Sequence, residues 1–152
     1  MSQVFSIHRQ VEFNHCDPAG MVYYPRYFEM ISALTERFFA DALDYAWSSM
    51  GEAAIGNGTP MGRIEVHFMS PSFLGDWLEL TLGVARIGTA SATFEIACLG
   101  AGERRFFCRA TVVHAKIGGG RSVPWPAPVR AAMTPYLIPS DETAKKTRTC
   151  PP

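Results

Sequence analysis

The residues best suited to do chemistry stand in one run, His15-Cys16-Asp17-Pro18-Ala19-Gly20-Met21-Val22-Tyr23-Tyr24-Pro25. Pro18 biases Asp17 toward an extended conformation, and Gly20 leaves the following turn free to take backbone angles closed to other residues. The carboxylate can therefore project from a loop. Pro25 has a fixed φ suited to a first helical position, where its missing N–H loses no intrahelical bond, so a helix is predicted to begin near Tyr24. Its unpaired N–H groups and positive dipole end then lie within a few residues of Asp17. A carboxylate beside such donors supplies a base or nucleophile together with an oxyanion site, the requirements of acyl transfer without a metal. Taken singly, an Asp before Pro is as readily a turn or capping residue.

The remaining chemistry-bearing residues are dispersed. His15 reads as a neighbour of the motif, and His67 and His114 as strand residues with structural roles. Cys16, Cys98, Cys108 and Cys150 share no metal-ligand spacing with the histidines, so no metal site is expected, and Cys98 and Cys108 read as buried thiols. No Ser/His/Asp pattern is present. Gly118-Gly119-Gly120 precedes Arg121-Ser122-Val123-Pro124, which cannot open a helix, so it is no phosphate loop.

The elements that must hold Asp17 follow from periodicity. Residues 24–42 carry Phe28, Met30, Ile31, Leu34, Phe38, Phe39 and Ala42, an apolar surface broad enough to require wrapping, with Glu29, Ser32 and Glu36 as a narrow polar strip. Residues 5–13 precede this helix as a loose strand. A helix-compatible stretch runs on to Gly56, before a loop at Asn57-Gly58-Thr59-Pro60. The period then changes to two, with strands around 64–68, 77–84, 91–98 and 106–117, separated by Pro71, Gly88 and Gly100-Ala101-Gly102. The last run is apolar on both parities, as if covered on both faces. The prolines beyond Pro124 leave room for one short helix at about 129–136.

The 152 residues form one expected domain, 1–140, with a disordered tail at 141–152. The 14 basic residues balance the 14 acidic ones, so neither nucleic acid nor a membrane surface is an expected partner. The start of the chain lacks the pattern of a signal peptide, and cytoplasm is the expected compartment. A helix apolar on most sides is most simply held in a curved antiparallel sheet, an α+β architecture. Trp77, Phe107 and Val113 would then face outward, so a homodimer is expected, with pairing into a homotetramer.

The order of elements and the loop together resemble the hotdog-fold acyl-CoA thioesterases, in particular the 4-hydroxybenzoyl-CoA thioesterase group. The specific part is Glu12-Phe13-x-x-Cys16-Asp17-Pro18-Ala19-Gly20-x-Val22-Tyr23-Tyr24-Pro25-x-Tyr27, supported by Gly58-Thr59-Pro60. The resemblance implies a long central helix wrapped by the sheet, Asp17 as catalytic residue, and the Tyr24 backbone N–H polarising the thioester carbonyl. No cofactor is implied, coenzyme A being part of the substrate. Ser32 stands where members acting on 4-hydroxybenzoyl-CoA carry a carboxylate for the ring hydroxyl. Thr59 is expected to approach Asp17 of a neighbouring chain. For the coenzyme A phosphates the chain offers Arg86, with Arg121 and Lys116 as further contributors.

Two other classes compete with an acyl-CoA thioesterase. A hydratase of the same fold would want a catalytic histidine on the loop or the long helix, and the helix at residues 24–43 holds none. A non-catalytic acyl-CoA-binding module stays open, because fold does not fix function. The aromatic residues Tyr23, Tyr24, Tyr27, Phe28 and Trp47 favour a small aromatic acyl group of the benzoyl type. A short- or medium-chain acyl group is the alternative.

Overall fold

The computed structural model describes residues 2–50 and 56–139. In chain order its elements are β1 (Phe5–Gln10), α1 (Tyr24–Arg37), α2 (Trp47–Met50), β2 (Asn57–Gly58), β3 (Met61–Phe68), β4 (Trp77–Ile87), β5 (Ser91–Gly100), β6 (Glu103–Val113), β7 (Ala115–Lys116) and α3 (Ala127–Met133). Five strands form one antiparallel sheet in the order β1-β4-β5-β6-β3, and β2 pairs with β7 in a separate ribbon.

Alternation decides which face of the sheet is inside. Leu78, Leu80, Leu82 and Val84 of β4, Phe94, Ile96 and Cys98 of β5, and Phe106, Cys108 and Val112 of β6 form one buried face. Against it lie Tyr27, Met30, Ile31, Leu34 and Phe38, spaced so that they recur on one side of a helix. At the β5–β6 hairpin the two turn residues, Ala101 and Gly102, both have positive φ, 49° and 78°. That turn matches the right-handed twist of the strands.

Several elements differ from the periodic expectation, each for a local reason. The first strand stops at Gln10, and Phe13–His15 forms a 3₁₀ turn closed by the Glu12 N–H donating to His15 Nδ1 at 2.9 Å. The long helix ends at Arg37 and passes into a π-helical turn, Phe38–Ala42, where the Leu43 N–H reaches back five residues to Phe38 O at 3.2 Å. The wider turn turns two consecutive side chains, Phe38 and Phe39, fully inward. The buried face of the helix is narrower than its apolar residues suggest: Arg26 and Phe28 are half-buried, and Glu29, Ser32, Glu36 and Arg37 are exposed. Of the helical stretch expected up to Gly56, α2 is the described part, and residues 51–55 lie outside the described residues.

The final strand breaks at His114 instead of reaching Ile117. His114 leaves the sheet to donate its N–H to Ala90 O at 2.8 Å, and its ring is fixed between the Tyr45 hydroxyl and Val123 O. This strand, β6, is wholly buried on one face only, Phe107 and Val113 being half-buried, while Trp77 of β4 is 63% exposed. The C-terminal helix is α3, followed by a 3₁₀ turn at Thr134–Tyr136. Beyond it Ile138 caps the part of β4 that β1 leaves unpaired, its N–H donating to Val84 O at 2.8 Å. Gly83 lets Ile138 pack closely there, since a Cβ would lie 2.7 Å from Ile138 Cδ1 and push that side chain aside. The expected tail at 141–152 lies outside the described residues.

Candidate active site

Residues 15–23 fold back on themselves, as Pro18 and Gly20 dictate. The Tyr23 N–H donates to His15 O at 2.9 Å, Cys16 and Val22 form a β-bridge, and the Asp17 N–H donates to Met21 O at 2.9 Å. Gly20 sits at φ 79°, the left-handed conformation the turn needs. At the tip, Asp17 Oδ1 accepts from the Ala19 N–H at 2.9 Å and the Met21 N–H at 3.4 Å. The turn-forming role of Asp17 is therefore real, but it occupies one oxygen: Oδ2 accepts no hydrogen bond among the described residues.

The returning strand of this loop runs straight into α1. Tyr23 occupies the N-cap without a side-chain cap, and Pro25 lies in the first turn. The Tyr24 N–H has no hydrogen-bond acceptor among the described residues, so the helix begins with an unpaired donor and the positive end of its dipole. The Tyr24 ring is exposed and packs edge-on against Phe68, centroids 6.3 Å apart. Around it an open groove of about 330 Å³ is lined by Met21, Val22, Tyr24, Tyr27, Phe68 and Met69, with Ser70 and Pro71 at its edge.

Further along α1 a second cavity of about 350 Å³ brings Ser32 and Thr59 together. Phe28, Ile31, Met61, Ile64 and Val112 make its wall apolar, and Thr35 and Trp47 complete it. Thr35 Oγ1 is occupied by Ile31 O at 2.8 Å. Trp47 Nε1 is buried and has no partner among the described residues, nor has Asn57 Oδ1, nearby in sequence to Thr59. Among the described residues no carboxylate lines this cavity. Arg86 and Arg121 are exposed and line neither space. Ser32, expected from the resemblance at the ring-hydroxyl position, and Thr59, expected beside Asp17 of a neighbouring chain, thus line one cavity, and within one chain that cavity does not include Asp17.

The other titratable groups are used structurally. His114 is buried with both ring nitrogens engaged, Nδ1 at 2.8 Å from Val123 O and Nε2 at 2.9 Å from the Tyr45 hydroxyl, and it stacks on Trp125. Burial pushes the thiols of Cys98 and Cys108 up to about 12, Arg105 partly opposing the effect at Cys98, so neither is a thiolate at neutral pH. Among the described residues no three His, Cys, Asp or Glu side chains come together as a metal-binding group. No helix among them is long and apolar enough to cross a membrane.

Two residues that hold the Asp17 loop and the start of α1 carried no sequence signal of their own, Ser72 and Arg105, while Tyr27 was marked only by the motif and as an aromatic residue. The Tyr27 hydroxyl donates to Ser72 Oγ at 2.8 Å, and its burial raises the phenol above its ordinary pKa. Buried Arg105 donates to Pro71 O and, at 3.0 Å, to Gly100 O. Tyr27 could have been suspected, since a tyrosine on the buried side of a helix needs a partner for its hydroxyl. The partner itself could not.

A long helix packed against a five-stranded antiparallel sheet is the hotdog architecture. The chain matches the thioesterase-like superfamily over residues 11–133 and belongs to it. Its class of activity is thioester hydrolysis. A 1,4-dihydroxy-2-naphthoyl-CoA thioesterase from Synechocystis superposes with TM-score 0.78 at 18% identity, covering 87% of this chain and 96% of that one. A gentisyl-coenzyme A thioesterase gives 0.75 at 22%, covering 85% and 99%. A thioesterase-superfamily protein from Jannaschia sp. gives 0.80 at 24%, covering 90% and 94%. At these identities the likeness is one of fold. No curated protein matches the sequence.

Proposed function

We propose that this chain hydrolyses the thioester of a small aromatic acyl-CoA, with Asp17 as the reacting carboxylate and the Tyr24 N–H polarising the carbonyl. The observation that carries the reading is the pair of free groups at one loop–helix junction: Asp17 Oδ2, left open while Oδ1 is tied down, and the unpaired Tyr24 N–H. A carboxylate pre-oriented by its own loop loses little entropy on reacting, and a fixed N–H contributes most where charge develops on the carbonyl oxygen. The carbon–sulfur bond breaks, coenzyme A leaves as the thiol after taking a proton, and water supplies the new acyl oxygen. Asp17 either attacks first, giving a mixed anhydride, or deprotonates that water. A single turnover in ¹⁸O-water tests direct attack: label found in Asp17, with an Asp17 oxygen carried off in the acid, establishes a mixed anhydride opened by water at the Asp17 carbonyl.

The cavity at Ser32 is the proposed acyl site. Its volume of about 350 Å³ and mostly apolar wall suit a ring better than a long chain. The naphthoyl- and gentisyl-CoA named for two proteins of similar fold are aromatic as well. Ser32, Thr59 and the unpartnered Trp47 N–H offer neutral polar groups to a ring substituent, and Arg86 and Arg121 are the proposed partners of the coenzyme A phosphates. With neutral groups only, benzoyl-CoA and 4-hydroxybenzoyl-CoA are expected to differ in kcat/KM by no more than about tenfold, roughly 1.4 kcal/mol.

The proposed assembly joins the cavity to Asp17. The β3 edge is unpaired, and its ends expose Met61 at 41% and Phe68 at 50%. If two copies pair antiparallel along β3, the Met61 end of one lies beside the Phe68 end of the other. The Ser32–Thr59 cavity of one chain then faces the Tyr24 groove of its partner. A homodimer would thus complete two sites, and the exposed Trp77 supports further pairing into a tetramer. The test is release of free thiol from benzoyl-, 4-hydroxybenzoyl-, hexanoyl- and palmitoyl-CoA. Fastest release from the two aromatic esters is expected, and faster turnover of palmitoyl-CoA overturns the aromatic assignment.

A further inference from the structure

We propose that Ser72 is a positioning residue that sets the spacing between the Asp17 carboxylate and the Tyr24 N–H. This rests on the reading of those two groups as the reacting pair. The loop and the helix start are joined by only a short stretch of chain, and each is separately tied to the same fully buried serine. Ser72 O accepts from the Val22 N–H at 2.9 Å, which fixes the returning arm of the Asp17 loop. Ser72 Oγ accepts from the Tyr27 hydroxyl at 2.8 Å, which fixes the first turn of α1. One residue therefore holds both halves of the site.

The serine is itself held rigidly. Arg105 Nη1 donates to Pro71 O, the residue before it, and Nη2 lies 3.8 Å from Asp76 Oδ2 at the far end of the same segment. Asp76 Oδ2 in turn accepts from the Phe73 N–H at 2.9 Å. Flanking Ser72, Met21 bridges Phe73 and the Leu74 N–H donates to Gly20 O at 3.2 Å, so residues 72–74 underlie 20–22 along their length. Gly100 leaves space for the guanidinium, because a Cβ there would lie 2.7 Å from Arg105 Nε. A misplacement on the order of 1 Å between reacting groups can lower a rate by about a hundredfold. A link that fixes both groups therefore acts on turnover more than on binding.

The test compares Tyr27→Phe, Ser72→Ala and the double variant with wild type and with Asp17→Asn, in folded samples checked by circular dichroism. Tyr27→Phe keeps the ring packed between Phe68 and Phe106 and removes only the donor, so a folded variant is available even if Ser72→Ala unfolds. Each single variant is expected to lose about tenfold in kcat with KM within twofold, and the double variant to lose no more than either single one. A purely structural role would lower the unfolding midpoint and leave kcat per folded molecule unchanged. That outcome, with Asp17→Asn inactive, overturns the positioning role alone. Full activity in Asp17→Asn overturns the underlying catalytic reading, and this inference with it.

Discussion

The Asp17 loop and the Ser32 cavity adjoin the same helix but are built in opposite ways. Around Asp17 the backbone is closed by its own hydrogen bonds, with residues 15–23 zipped together and seated on residues 72–74. Around Ser32 the wall is side chains, and among the described residues the Trp47 N–H is left without a partner and the adjoining β3 edge is bare. The groups proposed to react are thus fixed within one chain, while the groups proposed to choose the substrate await a second copy. Reactivity needs orientation held to a fraction of an ångström, whereas selection needs a shaped space that another surface can complete.

The most severe way to break this contrast is to prevent pairing at the end of β3, where Phe68 also packs against Tyr24 and Tyr27, so that activity is read beside the oligomeric state. Phe68→Asp places a charge on the exposed end of β3 and is expected to shift the protein to monomer in sedimentation, with at least a hundredfold loss of thiol release. A fully active monomer would show that the cavity needs no partner. Next in size is Arg105→Met, which strips Pro71 O and Gly100 O of their donor and leaves Asp76 without its cation. Buried acceptors left unpaired make this a loss of about 2 kcal/mol or more, read as a lower urea midpoint with unchanged slope. An unchanged midpoint would show that the platform beneath the Asp17 loop does not depend on Arg105.

The smallest effect probes the sheet beneath both regions. Cys98 and Cys108 have folded pKa values raised by burial from 9.0 to about 12. Above pH 9 the unfolded thiols ionise while the folded ones stay neutral, so stability is retained below pH 9 and falls between 9 and 12. Each thiol contributes a slope of up to about 1.4 kcal/mol per pH unit. Urea midpoints measured from pH 8 to 11 are expected to fall more gently in Cys108→Ala than in wild type. Equal slopes would mean that water reaches Cys108.

The same contrast explains what could be read from the sequence. The Asp17 loop was legible because Pro18, Gly20 and Pro25 restrict the backbone locally, and the sheet was legible because β4 and β5 alternate cleanly. The π turn was not, since Phe38 and Phe39 fit an ordinary helical stripe until the wider turn admits both. Nor was the end of β6, which depends on His114 meeting Tyr45 from 69 residues away. Ser32 and Thr59 were marked by resemblance, but the cavity joining them depends on Trp47, Met61 and Val112 converging from separate elements. Ser72 carries no local mark, because its importance comes from Val22 and Tyr27 folding onto it.

The central claim is that the carboxylate of Asp17 carries the hydrolysis. Its most direct test is the steady-state kcat of Asp17→Asn with benzoyl-CoA, beside the far-ultraviolet circular dichroism of the same sample. The amide keeps an oxygen to accept from Ala19 and Met21, so a folded protein with kcat lowered at least a hundredfold is expected. A folded variant that releases coenzyme A at the wild-type rate would contradict it.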